Sequence, residues 1–378
     1  MRMKTSTFEV VIVGAGIIGA ACADEFARRG MHVAIVEREA IGKGATGAAM
    51  GHIVVMDDSE AQFALTRYSQ QLWHRLRHDL PGEVEFERRG TIWIAADEEE
   101  MSEVRRKHDY YNHRGVPVGV LDPHDLRRLE PSLRNGLAGG LLVPEDVVLY
   151  PPCAARFLID RAQQNGAELR TGCSASQIGE GSVQLADGSV ISAEIIVNAA
   201  GPHSPELTPG LNIKNRKGHL AITGRCPGFV HHQLVELGYL KSAHSIASDS
   251  VAFNVQPRHN GELVVGSSRQ FGAEHPEVDE AILSRMLLRA QEYIPSLGQL
   301  SILRSWTGFR AATPDKLPLI GPLPGDKSLF IATGHEGLGI TTSLATARIL
   351  VDQITGVASE IPIEPYLPSR MATGRVLS

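Results

Sequence analysis

The chain has 378 residues, 43% hydrophobic and 21% charged, which is enough length and apolar content for about two domains with a substantial core. Thirty-eight glycines without a Gly-X-Y period exclude a collagen-like chain and assign the excess to discrete turns and close backbone approaches. A formal net charge of −6 offers no basic surface for a polyanion, which argues against nucleic acid as a partner.

Cys22, Cys153, Cys173 and Cys226 lie far apart with no C-x-x-C pair, which fits reduced thiols and a cytoplasmic protein, free or at the cytoplasmic side of a membrane. Cys153 and Cys173 are expected as small apolar residues in packed positions. Arg2 and Lys4 precede an uncharged run from Val10 to Ala23 that imitates a secretion signal. The run is too short to span a bilayer, and cleavage after it would remove three glycines whose spacing carries meaning.

In chain order, Phe8 to Val13 reads as a strand, Gly14-Ala15-Gly16 as a tight turn, and the alanine-rich stretch to Arg29-Gly30 as a helix with a glycine stop. A second strand, His32 to Val36, completes the crossover that starts a parallel sheet. Residues 59–79 have helical periodicity. Alternation between Glu83 and Ala96 predicts a strand with one solvated face around Thr91 to Ile94, followed by a charged helix from Asp97 to about Tyr111. A helix over 151–166, short strands at 183–185 and 190–191 joined at Asp187-Gly188, and a buried run at 195–199 come next. Residues 217–266 read as a mostly antiparallel region, 280–293 as an amphipathic helix, and 328–353 as a buried strand turning into a helix.

Gly14, Gly16 and Gly19 form G-A-G-I-I-G between strand and helix, and Glu37 ends the next strand eighteen residues after Gly19. Each position has a task in dinucleotide binding. Gly14 permits the tight turn, Gly16 lets a pyrophosphate approach the helix N-terminus around Ile17 and Ile18, Gly19 allows helix and strand to close, and Glu37 accepts from a ribose. The acid also disfavours a 2′-phosphate, leaving FAD or NAD.

After Glu37-Arg38 comes a run of small residues, Gly42 to Gly51, ending at His52. With this run the sequence resembles the D-amino acid oxidase and glycine oxidase superfamily of FAD-dependent amine oxidoreductases. Further matches are the Ile196-Val197-Asn198-Ala199-Ala200-Gly201-Pro202 segment, Ser305 to Arg310 with Pro314-Asp315, and Gly334 to Ile340. The resemblance implies noncovalent FAD, since no cysteine lies shortly before Thr313-Pro314-Asp315. It implies that Glu37 and Arg38 hold the adenosine end. Thr46, Ala48 and Ala49 run along the pyrophosphate, and Met50, Gly51 and His52 lie beside the flavin. Ala199, Gly201, Gly308 and Gly334 line the cofactor, while Gly337, Leu338, Gly339, Ile340 and Thr341 present a helix N-terminus to the flavin pyrimidine edge.

The same resemblance implies that Arg310 grips a substrate carboxylate, a task suited to a planar two-pronged guanidinium; pairing with Asp315 or Glu336 is the structural alternative. His52 and His335 are candidate acid-base groups. Asn254, or Gln256, offers an amide where glycine oxidase carries a tyrosine, and Arg269 is either a second anion-binding residue or a surface arginine. Residues 49–55, 266–272 and the phrase Gly238-Tyr239-Leu240-Lys241-Ser242 resemble dehydrogenases of hydroxyproline, proline and opines.

The expectation is therefore an α/β protein: a Rossmann-like FAD-binding domain (1–80, 145–215 and 315–378) interleaved with an α+β substrate domain on an antiparallel sheet (81–144 and 216–314). Its implied activity is oxidation of an amino acid at the α-carbon by hydride transfer to flavin N5, with cis-4-hydroxy-D-proline or a related cyclic secondary amine as substrate. Glycine, sarcosine or broad D-amino acid oxidation, and a role as the FAD-binding subunit of a heteromeric dehydrogenase, are the alternatives. Oxygen, a quinone and a carrier protein stay open as electron acceptor, as does association into a homo-oligomer.

Overall fold

The computed structural model describes residues 7–238 and 249–371. Arg2, Lys4 and the phrase Tyr239-Leu240-Lys241-Ser242 lie outside the described residues. The chain divides into two compact units, one of residues 1–84, 150–215 and 310–378 and the other of 85–149 and 216–309.

The first unit is built on a sheet whose central strand, Thr7–Val13, pairs in parallel with Val190–Asn198 on one side and Val33–Glu37 on the other. Leu329–Thr333 and Glu168–Thr171 extend the parallel order outward, and Leu319–Pro322 closes one edge antiparallel. Val10, Val11 and Ile12 are all fully buried, as a strand covered on both faces requires. The separate short strand and buried run expected over 190–199 form one strand, Val190–Asn198, whose first residues also pair with the hairpin strand Ser182–Leu185.

Helix Ile17–Arg28 packs between Pro151–Gln164 and Gly339–Thr355, and its run Ala20-Ala21-Cys22-Ala23 is buried all round. Small side chains let three helices approach closely. Asp24, pushed up by burial and held back by Arg161, joins the first two helices through contacts of 2.9 and 2.5 Å to that guanidinium. Helix Glu60–Leu76 starts at Ser59, whose hydroxyl accepts from the Gln62 amide at 3.1 Å. Near its end Trp73 donates its indole N–H to the Ile340 carbonyl at 3.2 Å.

The second unit carries an eight-stranded sheet in the order Ile302–Ala312, Lys214–Thr223, Leu263–Phe271, Ser250–Pro257, Gln233–Glu236, Thr91–Ala95, Gly139–Val143 and Gly119–Leu121. Gln233–Glu236 runs parallel to Thr91–Ala95, a departure from the antiparallel expectation. Thr91–Ala95 is buried at all five positions rather than solvated on one face. It lies inside the sheet, with Ile92 and Ile94 in an apolar cluster beside Phe253 and Val255. On the other face the fully buried Lys107, from helix Glu98–His113, sits 5.4 Å from the Trp93 ring centroid. Helix Glu280–Tyr293 covers the apolar face, with Tyr293 stacked on Phe253 at 4.5 Å.

Among the described residues no helix is long and apolar enough to cross a membrane. Cys22 is fully buried, which pushes its thiol up to about 12. Cys153 and Cys173 are half-buried instead of packed, because each sits at a helix or strand margin where solvent reaches one side.

Candidate active site

The glycine turn sits at the carboxyl end of the central strand. Gly14 has φ +106°, and a Cβ there would lie 2.7 Å from the Ala199 carbonyl oxygen. Gly19 is more constrained still, since its Cβ would meet the Gly14 carbonyl at 1.9 Å. At Gly16 the nearest atom is the Thr46 hydroxyl, at 3.3 Å, so the space above it is otherwise open. Two glycines are thus demanded by the protein's own backbone, and the third keeps the helix N-terminus accessible, with Ile17 buried and Ile18 half-buried beside it. Glu37 accepts from the Ala15 amide at 2.7 Å and from its own segment at Glu39, 2.8 Å, which ties the end of the second strand to the turn.

The small-residue run forms successive turns, in which Gly42 donates to Ala15 at 2.9 Å and Ala49 to Thr46 at 3.2 Å. Thr46 is buried, and its hydroxyl accepts from the Ile17 amide at 2.9 Å. It therefore caps a helix whose own N-cap, Gly16, has no side chain. Ala48, Ala49 and Met50 are half-buried, and Gly51, at φ +100°, turns the chain into the strand His52–Ile53. The Thr341 hydroxyl donates to the His52 carbonyl at 3.0 Å and lies 3.2 Å from the Val54 amide. That residue clips the segment to the start of helix Gly339–Thr355.

Ala199 and Gly201 follow the strand Val190–Asn198. Asn198, absent from the sequence-derived candidates, is fully buried and holds this turn with all its side-chain groups. Its amide donates to the Ser204 carbonyl (3.1 Å) and Thr208 hydroxyl (2.9 Å), and its oxygen accepts from Ala200 (3.2 Å). Arg38 is exposed and bonded to His203 Nε2 at 2.9 Å.

Gly334, Glu336 and Gly337 all take positive φ, so the loop after Leu329–Thr333 turns sharply into helix Gly339–Thr355. Leu338 and Gly339 are half-buried, and Ile340 is buried. A Cβ on Gly339 would lie 4.0 Å from Ile18, so the N-termini of Ile17–Arg28 and Gly339–Thr355 converge. A Cβ on Gly337 would lie 3.4 Å from the Arg310 side chain, at both Cδ and Nε. Asp315 is committed to Arg370 at 2.7 and 3.2 Å, an arginine the sequence reading did not single out.

His335 is buried, bonds to the Thr346 hydroxyl at 3.0 Å, and is pushed down to about 3 by burial. It stays neutral near pH 7, the form in which an imidazole accepts rather than gives a proton. In the second unit, Asn254 is half-buried on the strand Ser250–Pro257, and its side-chain oxygen accepts from the Gln233 amide. Gln256 is fully buried, Arg269 is half-buried on Leu263–Phe271, and Gly308 is half-buried on Ile302–Ala312.

The two convergent helix N-termini suit a bound anion. Neither helix has an N-cap side-chain bond or an acid in its first turn, whereas Ser59, Asp97, Asp122 and Asp279 cap four others, each with an acid in the first turn. The first turns of both helices thereby carry no acid of their own, next to an open glycine turn, an arrangement that suits a pyrophosphate and an electron-rich ring edge. Fold and site together define a dinucleotide-binding protein.

Comparison with known proteins narrows this class. The pattern of the FAD dependent oxidoreductase family matches residues 9–353, and the chain belongs to that family. Its cofactor is FAD. Glycine oxidase of Geobacillus kaustophilus is 27% identical, over 97% of this chain and 98% of the relative. Its crystal structure superposes with a TM-score of 0.87 over 97% of this chain and 99% of that one, at 26% identity. Hydrogen cyanide synthase subunit HcnC of Pseudomonas aeruginosa is 26% identical over 96% of both chains. L-proline dehydrogenase from P. horikoshii, at 23% identity, shares the fold with a TM-score of 0.87 over 98% of this chain and 99% of that one.

Proposed function

We propose that the protein oxidises an amino acid at its α-carbon, with Arg310 binding the carboxylate. The observation that carries this reading is the position of the Arg310 side chain against Gly337, at the loop that opens helix Gly339–Thr355. A guanidinium there offers two parallel donors to a carboxylate. Bound FAD supplies the two-electron acceptor. The chain's part is positioning: the carboxylate is fixed at Arg310, and the substrate's freedom is removed before the reaction begins. No general base is required, since a neutral amine assists loss of the α-hydrogen with its own lone pair. Met50, Gly51 and His52, with Gly337 to Thr341, are the residues proposed to flank the flavin, and Asn254 is proposed to offer its amide to the substrate.

The substrate we favour is cis-4-hydroxy-D-proline or a related cyclic secondary amine, giving a pyrroline carboxylate; residues 49–55 and 266–272 support it. Glycine oxidation is the second reading, supported by the glycine oxidase relative. Anaerobic mixing of the purified yellow protein with single amino acids tests both. Bleaching by cis-4-hydroxy-D-proline and not by glycine is the expected result, and the reverse pattern transfers the assignment to glycine. Loss of bleaching with every amino acid overturns the proposal. A third reading, an FAD-binding subunit that needs a partner as the HcnC name suggests for that relative, predicts bleaching without turnover on oxygen, quinone or carrier.

A further inference from the structure

Strands Val33–Glu37 and Val190–Asn198 flank the central strand on opposite sides. Arg38 is the first residue past one, and His203 lies five residues past the other. Their contact, Arg38 Nη2 to His203 Nε2 at 2.9 Å, therefore spans the carboxyl ends of three parallel strands, about 9.5 Å of sheet, over the point where the Gly14 turn emerges. Ligands of open parallel sheets lie along these ends. We infer that His203 is a positioning residue for Arg38, and that the two side chains form a strap across the adenosine end of the FAD site.

The chemistry of the contact gives it a direction. Arginine has donors alone, so His203 Nε2 must carry the lone pair and Nδ1 the proton. Nδ1 in turn donates to Glu206 Oε1 at 2.8 Å. Glu206 thus selects the tautomer that receives Arg38. The turn bearing His203 is itself anchored from below by the fully buried Asn198. Arg38 and His203 are 45% and 39% exposed, so their substitution should leave folding intact. The Arg38 guanidinium lies 3.4 Å from Glu39 on its own side, so Arg38 is held at both ends, beside Glu37 and above the glycine turn where a dinucleotide lies in such sheets.

The test is FAD binding by the apoprotein, followed by quenching of flavin fluorescence and by the rate of FAD release on dilution. Arg38→Ala and His203→Ala should each weaken binding about tenfold. The double variant should be no more than about twofold weaker than either single one, because both remove the same link. His203→Gln retains an acceptor and should stay within about twofold of the parent. The inference is overturned if His203→Ala binds FAD like the parent, if Arg38→Ala does so, or if the two losses multiply in the double variant.

Discussion

Arg310 concentrates the functional proposal in one side chain. Arg310→Ala should lower kcat/KM for the favoured amino acid by somewhat over a hundredfold, roughly 3 kcal/mol, while FAD content stays at the parent's level. Arg310→Lys should recover part of the loss, since a point charge cannot match both carboxylate oxygens. Activity within threefold of the parent in the alanine variant places the carboxylate elsewhere, with Arg269 the next candidate. Gly14→Ala should behave differently: at φ +106°, with a carbonyl 2.7 Å from the new methyl, it strains the turn, and holoprotein yield should collapse. Residue identity was legible where backbone geometry is tied to spacing, as at Gly14 and Gly19. The protonation state of His335 was not legible, because burial decides whether a histidine titrates near neutrality, and burial depends on residues distant in the chain.

At the scale of elements, Thr46 links two features that the sequence shows apart. Its hydroxyl, twenty-nine positions downstream of Ile17, caps helix Ile17–Arg28. Thr46→Val should cost about 1 kcal/mol of apoprotein stability in urea unfolding and weaken FAD binding, whereas Thr46→Ser should preserve both. An unchanged unfolding midpoint in the valine variant would remove the capping role. Asn198→Leu should be harsher, since buried backbone partners lose their bonds, and a loss of roughly 2–4 kcal/mol is expected. Helices were read well from sequence because their signals are local: Asp279 caps Glu280–Tyr293, the residues its periodicity marks. Thr91–Ala95 misled, because alternation of residue types in one strand does not reveal which elements cover its two faces. The parallel pairing with Gln233–Glu236 is likewise a contact between segments some 140 residues apart.

For the whole molecule, the family places FAD in the chain, and its noncovalent retention is a prediction. The buried Cys22 thiol, pushed up to about 12, and the Cys226 thiol, also raised by burial, are poor nucleophiles. Acid precipitation should release the yellow colour into the supernatant; colour kept in the pellet contradicts the prediction. Acid also acts on stability through His335. Its pKa falls from an ordinary value of about 6.5 to about 3 on folding, so the unfolded chain binds the extra proton between those values. The stabilisation is complete above about pH 6.5 and is lost as pH falls toward 3, at up to about 1.4 kcal/mol per pH unit. Relative to the parent, His335→Gln should flatten the stability profile across that window; identical slopes refute a neutral buried histidine.

The order of strands in the first unit has a consequence for how the protein is made. Thr7–Val13 leaves the ribosome well before its neighbour on one side, Val190–Asn198, and Leu329–Thr333 follows later still. At about 5–20 residues per second, the first strands wait tens of seconds with an apolar edge unpaired. Helix Gly339–Thr355, whose N-terminus meets that of Ile17–Arg28, comes after them. Until that helix emerges the nascent chain lacks a complete place for its cofactor, and through that interval its central sheet carries an unpaired edge.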